Sequence, residues 1–127
     1  MNTAFTDTER TLADEVLAGR GVAVNVRRSG PPARLLPWLA DRELLVYIGH
    51  AGTRHSWPES DFANPFHRDV EADRAGMIVR YRAWLDGRPD LLARIAAREL
   101  TGRALGCWCA RGACHADVLL DLVPCRC

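Results

Sequence analysis

The spacing of apolar residues divides the chain into helical and extended stretches. Thr6 to Ala18 reads as a helix: Leu12, Val16 and Leu17 form an apolar stripe, Thr6 and Glu9 have capping-box spacing, and Gly19 is placed as a stop. "VAVNVRR", Val22 to Arg28, alternates and is β-branched, which predicts a strand broken by the following "SGPP". "ARLLPWLADREL" predicts a short helix or a turn, interrupted by Pro37. Leu44 to His50, "LLVYIGH", is a nearly continuous apolar run, the pattern of a central strand buried on both faces.

Residues Ala51 to Val70 carry Gly52, Pro58 and Pro65 and little periodicity, which predicts a long loop of the kind that is often functional. From Asp73 to Asp86, Met77, Ile78, Tyr81, Trp84 and Leu85 share one helical face. A second helix runs from Pro89 to about Leu100, with Leu92, Ile95, Ala96 and Leu100 inward. "ALGCWCA" predicts a strand and "CHADVLLDLV" a closing helix, stopped by Pro124. Strands alternating with helices predict one small α/β domain over residues 1–127, with a mostly parallel sheet of three to four strands and flanking helices. Right-handed crossovers place helices on both faces.

Such a sheet binds ligands at its carboxyl edge. If all three strands run parallel, Arg27-Arg28, Gly49-His50 and the "ARGACH" segment after Cys109 meet there. On a strand, Cys107 and Cys109 share a face and Trp108 takes the other, to pack. Cys114 and His115 then open a helix, whose N-terminus stabilises a thiolate and makes it a better ligand and nucleophile. The C-x-C-x4-C-H spacing is not that of a zinc finger. It leaves three readings open: a metal site, reactive or ligand-contacting thiols, and buried inert cysteines. His115 is an ordinary first-turn polar residue, or an acid/base or ligand. Asp117 complements the helix dipole or contacts a ligand.

In the long loop, His50, His55 and His67 are solvated or ligating. Pro65 forces Asn64 into an extended backbone, so its amide projects at a fixed angle while Phe66 plugs the core. At most one of Arg27 and Arg28 faces the cleft, and Tyr81 and Trp84 read as core.

Composition adds few constraints. Apolar residues make up 48% and charged residues 26%, and a formal net charge of +1 gives no drive toward nucleic acid or anionic membrane. The basic residues are all arginine, which reads as codon bias rather than as a phosphate-binding design. The opening "MNTAFTDTERTLADEV" is charged where an export signal is apolar, and no stretch approaches the ~20 apolar residues of a membrane span. A reducing cytoplasm is therefore expected, where clustered cysteines tend to be ligands or reactive thiols. Dinucleotide, phosphate-loop, nucleophile-elbow and H-E-x-x-H motifs are absent, as is any basic helical stripe.

The landmarks "VNVRR", "VYIGH", "NPF", "YRAWL" and "LTGRALGCWCARGACHADVLLDL", in that order, resemble the bacterial and phage family called domain of unknown function 4326. The resemblance covers Val22 to Val123, with residues 1–20 as an added helix and Cys125 and Cys127 as an added tail. His50 stands where that family usually has arginine, Ala63 and Ala116 where it has glycine, and Arg111-Gly112 where proline is common. The family implies a fold and a motif, not a reaction.

Together these features favour a small-molecule site at the carboxyl edge. Cys107, Cys109, Cys114 and His115 would hold zinc or another transition metal, or Cys109, Cys114 and His115 would react. Arg27, Gly49, His50, Asn64 and Asp117 would bind an anionic, nucleotide- or nucleoside-like ligand. An enzyme working through a thiolate or a metal-activated water is favoured; the alternative is a zinc-stabilised binding or adaptor domain. The reaction and the oligomeric state are left open.

Overall fold

The computed structural model describes residues 5–26, 33–51, 57–66, 73–108 and 114–123. α1 (Asp7–Leu17) is capped by Thr6, whose hydroxyl accepts from the Glu9 N–H at 3.1 Å, while the Glu9 carboxylate accepts from the Thr6 N–H at 3.0 Å. The expected capping box is therefore present. Gly19 sits at φ 90°, a left-handed conformation suited to glycine, just past the helix end. The buried face differs from the expected stripe: Glu9, Ala13 and Val16 point inward, and Leu17 is 61% exposed.

β1 (Val22–Asn25) and β2 (Leu45–Tyr47) both pair parallel with β3 (Ala104–Cys107), in the order β1-β3-β2. The mostly parallel sheet is thus observed, with three strands among the described residues. The "LLVYIGH" run is an edge strand and not the central one; β3 is central and fully buried. The apolar run reported cover on both faces, which an edge strand also has when helices lie above and below.

Alternation along the strands sorts the core into two layers. Val24 and Ala104 face Val16 of α1 and Leu35 and Leu39 of α2 (Leu35–Asp41). Leu105, Cys107 and Ile48 face the opposite layer. That layer holds Tyr81 and Leu85 of α3 (Arg74–Asp86), Leu91 and Ile95 of α4 (Pro89–Ala96), and Val118 and Leu119 of α5 (His115–Leu122). Pro37 does not interrupt α2. It is the third helical residue, where its missing N–H has no intrahelical partner to lose.

α3 begins where Asp73 accepts from the Gly76 N–H at 3.0 Å, and its buried line is Met77, Tyr81 and Leu85. α4 is shorter than expected and turns a different face inward: Leu91 and Ile95 are buried, Leu92 is partly buried and Ala96 is exposed. Arg98, at φ 71°, ends that segment, and Leu100 reaches the core from beyond the helix. Among the described residues no helix is long and apolar enough to cross a membrane.

Candidate metal centre

Parallel pairing brings the carboxyl ends of all three strands to one edge, and the last residue of the central strand is Cys107. The chain returns to that edge at Cys114, the N-cap of α5, with extended backbone. Two sequence features fix the start of α5. The Cys114 sulfur accepts from the Ala116 N–H at 3.4 Å, and Asp117, three residues on, accepts from the Cys114 N–H at 3.0 Å. This is a capping box with sulfur in place of the usual hydroxyl. Its consequence is a fixed place for Cys114 Sγ, 3.1 Å from Cys107 Sγ. That separation is well beyond a disulfide bond of about 2.05 Å, so the two sulfurs are not bonded to each other.

His115 completes the group, with Nδ1 3.6 Å from Cys114 Sγ. Its Nε2 lies 2.8 Å from the carbonyl oxygen of Ile48, at the end of β2. A carbonyl only accepts, so Nε2 carries the proton and donates. In the neutral ring Nδ1 is then a lone pair directed at the sulfurs. The Tyr81 ring meets the imidazole edge-on at 5.0 Å, and Tyr81 Oη donates to the Phe62 carbonyl at 2.7 Å, so the imidazole is held from two sides.

The ligating atoms of Cys107, Cys114 and His115 all lie within 4.8 Å of one another, and the three side chains are no more than 2% exposed. The donor set fits a soft divalent cation. Two thiolates and a neutral imidazole balance a 2+ charge, so the loaded centre is electrically neutral and tolerates burial. A ligating histidine whose other nitrogen donates to a backbone carbonyl is the usual outer-shell arrangement.

The other expected residues fall around this edge. The His50 ring bridges Glu59 Oε2 (2.8 Å from Nδ1) and the Asn64 carbonyl (2.7 Å from Nε2), and Glu59 Oε1 accepts from the Ala51 N–H at 2.6 Å. Gly49 leaves room for the Tyr47 hydroxyl, which curls back to the His50 carbonyl; a Cβ on Gly49 would lie 2.6 Å from that oxygen. Asn64 is buried, and its Oδ1 accepts from the Phe66 N–H at 2.8 Å.

Asp117 is exposed, and its Oδ2 accepts from the Cys114 N–H to close the capping box of α5. Trp108 lies past the end of β3 and is 43% exposed rather than packed; its carbonyl accepts from Asn25 Nδ2 at 2.9 Å. Arg27, Arg28, His55, His67, Cys109, Cys125 and Cys127 lie outside the described residues.

A protein-family model described as "Domain of unknown function (DUF4326)" matches residues 10–124. The chain belongs to this family. The DUF4326 match starts well before the landmarks read from the sequence and takes in most of α1. No curated protein and no solved structure matches the chain. Three contributors to the surroundings of this candidate site escaped sequence reading: the Ile48 carbonyl, Tyr81 and Glu59. A backbone acceptor has no residue signature, Tyr81 reads as core by its period, and Glu59 is an ordinary loop carboxylate until the fold brings it to His50.

Proposed function

We propose that the protein binds a small molecule at the carboxyl edge of its sheet, beside a transition-metal centre formed by Cys107, Cys114 and His115. The observation that carries this reading is the histidine tautomer. The Ile48 carbonyl holds the Nε2 proton, which leaves Nδ1 as a lone pair beside two sulfurs. Zinc is the first candidate, and in a protein site it acts as a Lewis acid toward a bound oxygen. The small molecule is nucleotide- or nucleoside-like, by analogy with other parallel sheets that bind at this edge. His50 and Asn64 would border it.

One observation favours a second reading, a zinc-stabilised domain without catalysis: the three donors are almost wholly buried. Cys109 decides between the two. As a fourth protein ligand it closes the site, the hallmark of structural zinc, whereas three protein ligands leave a position for water or substrate.

Elemental analysis with thiol titration, native and denatured, tests the proposal on the wild type and on Cys107→Ser, Cys114→Ser, His115→Ala and Cys109→Ser. The expected result is one metal per chain, lost in the first three variants. Retention in Cys109→Ser identifies the open, catalytic form, and loss identifies the closed one. A metal-free protein whose Cys114 is rapidly alkylated replaces the metal reading with thiol chemistry. A metal-free protein whose thiols react only on unfolding overturns both.

A further inference from the structure

Asn64 has a side-chain amide whose two ends are treated differently. Its Oδ1 accepts from the Phe66 N–H at 2.8 Å across Pro65. Its Nδ2 is buried and, among the described residues, has no hydrogen-bond partner. Turning the amide over would set the NH2 group against the Phe66 N–H, donor to donor, so the unmet group is the NH2. The residue is 2% exposed. A buried donor left unmet is unfavourable, so the group favours a partner.

The loop that carries this donor is tied down on both sides. His50 Nε2 donates to the Asn64 carbonyl at 2.7 Å, the Ser60 N–H donates to the Gly49 carbonyl at 3.0 Å, and Tyr81 Oη donates to the Phe62 carbonyl. Phe62 and Phe66, two residues to either side, pack in the same core layer as Cys107 and Cys114. The amide therefore sits on the metal-centre side of the sheet and is not free to swing out to water.

Charge narrows what such a donor can take. Among the described residues, the cations touching this loop are each matched by a carboxylate. His50 faces Glu59, Arg94 (over the Phe62 ring) faces Asp61 and Glu99, and Arg80 (over the Phe66 ring) faces Asp73. Among the described residues an anion buried against the amide would find no unmatched cation, and an uncompensated buried charge is strongly disfavoured. An uncharged oxygen needs no countercharge.

We infer that Asn64 Nδ2 is a specificity-determining donor, which accepts ligands presenting a neutral carbonyl oxygen, such as that of an amide or a nucleobase, at this edge. This deepens the small-molecule reading above. It rests on ligand binding at the edge and not on the metal.

The side-chain NH2 protons report directly. The probes are N-methylacetamide and uridine for neutral carbonyls, and inorganic phosphate and acetate for anions. Each is titrated into 15N-labelled full-length protein, with the Asn64 signal assigned by its loss in Asn64→Asp. The expected result is a saturable downfield shift of the Asn64 pair with the carbonyl probes and none with the anions. Uridine affinity should fall about tenfold in Asn64→Asp and in Asn64→Ser. Where either variant fails to fold, the wild-type titration still decides.

A shift with phosphate or acetate overturns the choice of a neutral oxygen. An Asn64 pair that shows cross-relaxation to a long-lived water and moves with no probe overturns the inference, since an internal water then satisfies the amide. Zinc bound with Asn64 silent removes this inference alone. No zinc with Asn64 responding removes the metal reading alone.

Discussion

The Glu9 carboxylate is buried between α1 and α2, and it serves both helices. Beyond closing the cap of α1, its Oε2 accepts from the backbone N–H groups of Arg34 at 2.9 Å and Leu35 at 3.1 Å. Those are donors at the start of α2, whose own cap position, Arg34, supplies no side-chain acceptor. Burial opposes ionisation of Glu9, but the hydrogen bonds from Thr6, Arg34 and Leu35 outweigh it and hold the carboxyl below its ordinary value. A lowered folded-state value means that this stability is present above the unfolded-state value and is lost as pH falls through the folded one. Glu9→Gln is expected to lose roughly 1–3 kcal/mol in urea denaturation near neutral pH. Its stability should also fall less steeply than that of the wild type on acidification. Equal acid sensitivity would show that Glu9 is not the linked group.

Caps and close approaches set the geometry of the elements, and two substitutions separate packing from ligation. Serine caps helices well, so Cys114→Ser should leave the metal-free protein within about 1 kcal/mol of metal-free wild type while abolishing metal binding. Parallel stability and metal measurements on the same samples check both halves. On the central strand, a Cβ at Gly106 would lie 2.7 Å from Val26 Cγ1 and 3.3 Å from Leu45 Cδ1, so the two neighbouring strands close over it. Gly106→Ala should cost about 1–3 kcal/mol through overpacking, read as a lower denaturation midpoint with an unchanged slope.

Among the described residues, the order of the elements was legible, and the type of all but α2, which read as a short helix or a turn, because each carries a local period, cap or breaker. Less legible was anything set by neighbours. β2 looked central because cover on two faces and central position leave the same apolar run. α4 turned Leu91 inward instead of Leu92 because packing against α3 and the core, not local pattern, chose its face. The Cys/His cluster could be placed at one edge from topology alone. The Nε2 contact that assigns the role of His115 joins residues 67 apart in sequence and has no local trace.

At the scale of the molecule, the candidate metal centre joins the end of the central strand, the first turn of α5 and, through His115, the end of β2. A metal bound there would be coupled to the closure of the α3–α5 layer. If the bound metal is worth at least ~3 kcal/mol, chelation should lower the thermal midpoint by roughly 10 °C. Re-addition should restore it, and an unchanged midpoint would detach the centre from folding. The most direct test is X-ray absorption at the zinc edge on purified, zinc-loaded protein. The account predicts a first shell with at least two sulfurs at about 2.3 Å and one imidazole nitrogen at about 2.0 Å, and loss of the nitrogen in His115→Ala. A shell of oxygen and nitrogen without sulfur, or a protein that holds no zinc, would contradict it.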